Sequence, residues 1–149
     1  MGKGYSFENN LKHRLQELYP KGYIHRFKQS RMSNQDWDLV VIKEKDPFFI
    51  ECKNRNVKGA KTKTLDTLFD PPRDDKPGQL ERQENIVKRT GLDGFLAFEM
   101  SRGPGISKEA VVIDILKVRG YKIDLHDPKI GTKLTREGSE YILREGDFQ

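Results

Sequence analysis

The sequence has one cysteine (Cys52), one tryptophan (Trp37) and three histidines in 149 residues. A single cysteine excludes an intramolecular disulfide framework and a cysteine-based zinc site. It also fits a cytoplasmic compartment. His13, His25 and His126 are scattered and make no metal-binding motif. No run approaches the roughly 18 consecutive apolar residues of a membrane span. The opening MGKGYSFENN has no signal-peptide apolar stretch. Hydrophobic residues make up 34% of the chain, no more than the charged ones. Mean hydropathy is correspondingly low, at -0.81. Aromatics at 9% and regular apolar clusters nevertheless argue for a packed core. The length predicts one domain over residues 1–149.

The net charge of +5 is unevenly placed. Residues 1–64 hold 14 Lys and Arg against 7 Asp and Glu, whereas residues 65–149 hold 14 against 16. Residues 53–63 (KNRNVKGAKTK) contain five basic residues and no acid. Such asymmetry points either to a polyanionic partner, most often nucleic acid, or to a solvated basic face.

Apolar periodicity predicts a helix from about Phe7 to Leu18, capped by Ser6, with Phe7, Leu11, Leu15 and Leu18 on one face. Residues 23–29, 37–42 and 48–53 read as strands, the last two joined as a hairpin by the turn at Lys43–Pro47. Residues 54–78 read as a long connection with a short helix near Leu65–Phe69. A second helix is predicted over Gln79–Thr90, stopped by Gly91. Strands follow at Phe95–Met100 and Ala110–Leu116, with the turn Gly103-Pro104-Gly105 between them. In the tail, Tyr121–Leu125 reads as a short strand and Arg136–Leu143 as a helix. This order predicts an α/β fold with a mixed central sheet flanked by helices.

The hairpin carries the chemistry. Alternation puts Glu51 and Lys53 on one face of their strand, and Phe48, Ile50 and Cys52 on the other. In the preceding strand Asp36, Asp38, Val40 and Ile42 share a face, opposite Trp37, Leu39 and Val41. A two-residue turn at Glu44-Lys45 pairs Lys43 with Asp46 and sets Asp38 directly opposite Glu51. Two opposed carboxylates repel. A divalent cation between them offsets that repulsion, and hard oxygen ligands suit Mg²⁺ or Mn²⁺. Asp36 lies on the same face, farther from Glu51. Glu8 sits about 100° round the first helix from Phe7, at the edge of the apolar stripe. It could reach a sheet-borne site, or simply favour the helix dipole. Gln83 falls on the buried stripe between Leu80 and Val87 and needs a hydrogen-bond partner. Cys52 faces away from Glu51 and reads as a core residue.

The pattern Asp38–x12–Glu51–x–Lys53 across a hairpin resembles the active-site signature of the PD-(D/E)XK nuclease superfamily. The segment Gly4–Leu11, G-Y-S-F-E-x-x-L, is similar to the opening helix of archaeal-type (Hjc-like) Holliday-junction resolvases, with Glu8 at the position of its active-site glutamate. A later helix with a glutamine, Gln83, followed by the strand GFLAFEM, extends the similarity over about residues 4–116. Trp37 stands where the superfamily has proline, and Asn9 where the resolvases have arginine. Residues 117–149 have no counterpart and are expected to pack on the core or at a dimer interface.

The resemblance implies a restriction-endonuclease-like core and Mg²⁺-dependent hydrolysis of DNA phosphodiesters. The implied catalytic set is Glu8, Asp38, Glu51, Lys53 and Gln83. Asp38, Glu51 and the Cys52 backbone carbonyl are the implied metal ligands, with Glu8 either a further ligand or a contact to a bound water. Ser33 is matched to a serine the resolvases use. Cutting both strands of a four-way junction requires two sites and hence a homodimer. Arg55, Lys58, Lys61 and Lys63, extended by Arg26, Lys28 and Arg31, are expected to hold DNA phosphates without reading sequence. The competing readings are another nuclease of this superfamily (restriction, repair or replication type) and an inactive DNA-binding module.

Overall fold

The computed structural model describes residues 3–27, 36–44 and 46–149. Helix α1 (Lys3–Leu18) carries Phe7, Leu11 and Leu15 at four-residue spacing, and all three are buried. Three strands follow: β1 (Tyr23–Arg26), β2 (Leu39–Lys43) and β3 (Asp46–Asn56). A short β4 (Thr62–Thr64) and a 3₁₀ turn (Leu65–Leu68) lead to α2 (Gln79–Thr90). Next come β5 (Asp93–Ser101) and β6 (Glu109–Asp114), then the short strands β7 (Lys122–Asp124), β8 (Thr132–Lys133), β9 (Thr135–Glu137) and β10 (Glu140–Ile142).

The main sheet has the order β1-β2-β3-β5-β6-β8. Only β3 and β5 run parallel; the other neighbours are antiparallel. A parallel pair needs a crossover, and α2 supplies it. The two helices occupy opposite faces. On one face Phe7, Leu11 and Leu15 of α1 pack with Leu39, Val41, Phe48, Ile50 and Cys52. On the other, Leu80 and Val87 of α2 pack with Leu96, Phe98 and Met100. The alternation of β3 and β5 decides which residue serves which core, and burying each large side chain stabilises by about 1.5–3 kcal/mol. The C-terminal residues join the α1-side core, where Phe148 stacks on Phe48 with ring centroids 5.4 Å apart.

Gly91 ends α2 in the left-handed conformation, at φ 71°, as the sequence predicts. Gly94 answers to packing. A Cβ there would lie 2.6 Å from Trp37 Cη2 and 2.8 Å from Val87 Cγ2.

Four sequence expectations change. Residues 136–143 form no helix: β9 and β10 make a hairpin, with Gly138 at φ 60° opening its turn. The buried Tyr141 and Leu143 stand two residues apart, as on a strand, and the glycine supplies the turn. The stretch 54–78 is shorter as a connection than it reads. The parallel ladder carries β3 on to Asn56 opposite Ser101, and β4 pairs with β7. Helix α1 begins at Lys3 rather than near Phe7. Trp37 precedes β2, so strand alternation does not govern it. It stacks on Phe49 (5.3 Å between centroids) on the α2 side, away from Leu39 and Val41.

Candidate active site

The β2–β3 register has the predicted form, with Lys43 paired to Asp46 and Leu39 to Ile50. Asp38 lies one residue before β2, and its backbone N–H donates to the Ile50 carbonyl at 3.1 Å. The strand pairing thus extends just far enough to bring the Asp38 carboxyl to Glu51. The two carboxyls hydrogen-bond each other, and Asp38 Oδ2 also accepts from the Cys52 backbone N–H at 2.7 Å. Both residues are buried.

Lys53, two residues along β3, projects to the same side and places Nζ 3.0 Å from Glu51 Oε2. Its ammonium also donates to Gln79 Oε1 at 3.1 Å and lies 5.5 Å from the centre of the Phe69 ring. Helix α2 closes this side with two glutamines one turn apart. Gln79 Nε2 donates to Glu51 Oε2 at 3.0 Å, and Gln83 Nε2 donates to Glu51 Oε1 at 3.1 Å. Gln83 also donates to the Asp36 carbonyl. Gln83 Oε1, fully buried, has no hydrogen-bond partner among the described residues. Asp36 itself turns outward, into an ion pair with Arg82 at 2.7 Å.

Glu8 approaches from α1. Its carboxylate is buried, pairs with Arg26 Nε at 3.1 Å and feels the charge of Asp38. Three carboxylates therefore share one buried region with Lys53 and Arg26. Positive charge does not match the burial. Desolvation, reinforced by Asp38, pushes the Glu51 carboxyl up to about 8. Desolvation also raises Asp38, and desolvation together with Asp38's charge raises Glu8. The Cys52 thiol points into the α1-side core, where burial pushes it well up and leaves it inert as a nucleophile.

The donor set fits a hard divalent cation: all side-chain ligands are carboxylate oxygens, in a region short of positive charge. Among the described residues no three His, Cys, Asp or Glu side chains stand close enough to enclose an ion. Asp38 and Glu51 would therefore need a backbone carbonyl, water or substrate oxygens to complete the coordination. That is the usual situation for Mg²⁺, which keeps several waters.

Of the residues singled out from sequence, the fold brings Glu8, Asp38, Glu51, Lys53 and Gln83 together. Arg26 joins this cluster as the partner of Glu8 instead of standing on an open basic surface. Arg55, Lys58 and Lys61 are exposed, and Lys63 is half-buried. Arg55 donates to the Asn54 and Leu68 carbonyls. Lys28, Arg31 and Ser33 lie outside the described residues. Sequence reasoning missed Gln79. Its spacing of four residues from Gln83 was the available signal, because it puts both amides on one helical face.

No protein-family model matches the chain, and no curated protein matches it. Among solved structures it is similar to Hjc of Archaeoglobus fulgidus, a Holliday junction resolvase from a hyperthermophilic archaeon. The TM-score is 0.51 at 16% sequence identity, over 83% of this chain and 89% of that one. The fold is thus that of an Hjc-like nuclease, the restriction-endonuclease-like α/β fold with its mixed central sheet.

Proposed function

We propose that this chain is a divalent-metal-dependent DNA endonuclease that resolves four-way junctions as a homodimer. The observation that carries the reading is the opposed Asp38–Glu51 pair with Lys53 salt-bridged to Glu51. It stands in the fold of a known junction resolvase. In this reading residues 1–149 are one nuclease domain. Residues 4–116 form its core, and the C-terminal part packs on that core.

Asp38, Glu51 and the Cys52 carbonyl would hold Mg²⁺ or Mn²⁺, with water or substrate oxygens completing the set and Glu8 contacting a bound water. The bound ion supplies Lewis-acid polarisation of the scissile phosphate and a more acidic water. The Lys53 ammonium orients the attacking water and offsets charge that builds on the phosphoryl oxygens. Gln79 fixes Lys53 and Glu51 relative to each other, since one amide contacts both. Gln83 holds the second Glu51 oxygen and offers its unpartnered carbonyl oxygen to a water. Arg26 offsets part of the burial of Glu8 and holds its carboxyl in place through the 3.1 Å ion pair. The exposed lysines after β3 hold the DNA backbone.

The test is incubation with labelled four-way junction, flap, linear duplex and single strand, with Mg²⁺ and with EDTA. Paired symmetric cuts confined to junctions, lost in EDTA, support resolution. Cutting of flaps and linear duplex supports a nuclease of restriction, repair or replication type. Binding without cutting in Mg²⁺ and in Mn²⁺ overturns the enzyme reading and leaves a DNA-binding module.

A further inference from the structure

The C-terminal hairpin holds a second cluster of charge, outside the carboxylate site. A cavity of about 450 Å³ is lined by Ser107, Lys108, Glu109, Lys133, Thr135 and Arg136, among others. Three cations face one carboxylate there. Residues 65–149 as a whole carry more acids than bases, 16 against 14, so the local excess opposes the background. Glu109 is already engaged, with Arg102 at 3.5 Å and Lys133 at 3.6 Å. Lys108 has no carboxylate partner among the described residues.

Arg136 is set rather than loose. Its guanidinium lies 4.8 Å from the centre of the Tyr141 ring, and its Nε donates to the Gly138 carbonyl at 3.0 Å. Nη1 lies 3.9 Å from Glu99 Oε2. Glu99 is itself fixed, because buried Tyr141 donates its hydroxyl to it at 2.7 Å. A buried glutamate and tyrosine thus orient an arginine whose Nη2 takes no partner among the described residues. A planar guanidinium held in one orientation suits two-point contact with a phosphate. Thr135 Oγ1 accepts from Arg144, which leaves its hydroxyl proton for a ligand. The cluster is anchored on the α1 face: the Tyr141 ring packs edge-on against Phe7 of α1, 5.8 Å away.

We infer that the cavity between the start of β6 and the β8–β9 segment binds a DNA backbone phosphate, through Arg136, Lys108 and Lys133. It adds a contact on the α1 face, remote in sequence from the lysines that follow β3. The inference rests on the nuclease reading for the identity of the polyanion alone and needs no cleavage.

The experiment is equilibrium binding of a fluorescent four-way junction and a linear duplex in EDTA, at salt from about 50 to 200 mM. Wild type is compared with Lys108→Gln/Lys133→Gln and with a charge-matched control, Lys88→Gln/Lys122→Gln. Each lost phosphate contact lowers the slope of log K against log salt by about 0.9. Both lysines serve one phosphate, so the site pair should lower it by about 0.9. Wild type should then lose about threefold more affinity than the variant across that range. The control should keep the wild-type slope. Equal slopes for the site pair and wild type, or equal loss in the control, overturn the subsite. So does a wild type that binds no DNA. A wild type that binds DNA but never cuts it would overturn the nuclease reading and leave the subsite standing.

Discussion

Lys53 Nζ lies 3.0 Å from Glu51 Oε2, two residues away on the same face of β3. That pair is the only point where the carboxylate cluster meets a lysine in direct contact among the described residues. If it works as proposed, Lys53→Met should fold normally and bind DNA. It should cleave about 10²–10³-fold more slowly, the usual cost of losing one charge-stabilising donor. Single-turnover cleavage of saturating DNA checks this, because it reads chemistry apart from binding.

Gln79 touches both members of the pair, so its loss should mis-set them without removing either. Gln79→Ala is expected to lower single-turnover cleavage by about 10–100-fold, the range typical of groups that orient a site. It should also raise the Mg²⁺ concentration needed for half-maximal rate, while DNA affinity in EDTA stays within about twofold of wild type. Cleavage kinetics under Mg²⁺ titration separate this from a simple loss of stability.

Burial and Asp38 push the Glu51 carboxyl up from its ordinary 4.5 to about 8. Between those pH values the folded chain holds more protons than the unfolded chain. Stability contributed by this group is therefore complete below about pH 4.5 and is lost as pH rises toward 8. Asp38 and Glu8 shift in the same direction. In EDTA, thermal unfolding of wild type should show a midpoint that falls from pH 5.5 to pH 8. Glu51→Gln should flatten that fall. At pH 8, Mg²⁺ should raise the wild-type midpoint and leave the variant's nearly unchanged.

Gly94 marks where the α2-side core has no room. Its missing Cβ would sit 2.6 Å from Trp37, which in turn stacks on Phe49. Gly94→Ala should cost about 1–3 kcal/mol of stability by overpacking. Urea unfolding followed by the fluorescence of Trp37, the chain's one tryptophan, measures this directly.

How much of this was legible beforehand differs by residue. Asp38, Glu51 and Lys53 could be placed because a tight turn after Lys43 fixes the register, and the observed Lys43–Asp46 pair is the one that turn demands. Helix α2 could be read to the residue from its periodicity and Gly91. Gln79 had only its four-residue spacing from Gln83 as a signal, because its partners lie 26 and 28 residues back on β3 and only the crossover brings them near. Arg26 was read as surface charge for a similar reason: its partner Glu8 is 18 residues away on another element. The hairpin at the C-terminus was lost to ambiguity between two-residue and helical spacing over a segment with few apolar residues.

The most direct test of the central claim compares wild type and Glu51→Gln on one labelled four-way junction, in Mg²⁺ and in EDTA. The account predicts paired cuts by wild type in Mg²⁺ only, no cuts by Glu51→Gln, and equal junction binding by both proteins in EDTA. Cleavage by Glu51→Gln at the wild-type rate would contradict it, as would wild-type cleavage that persists in EDTA.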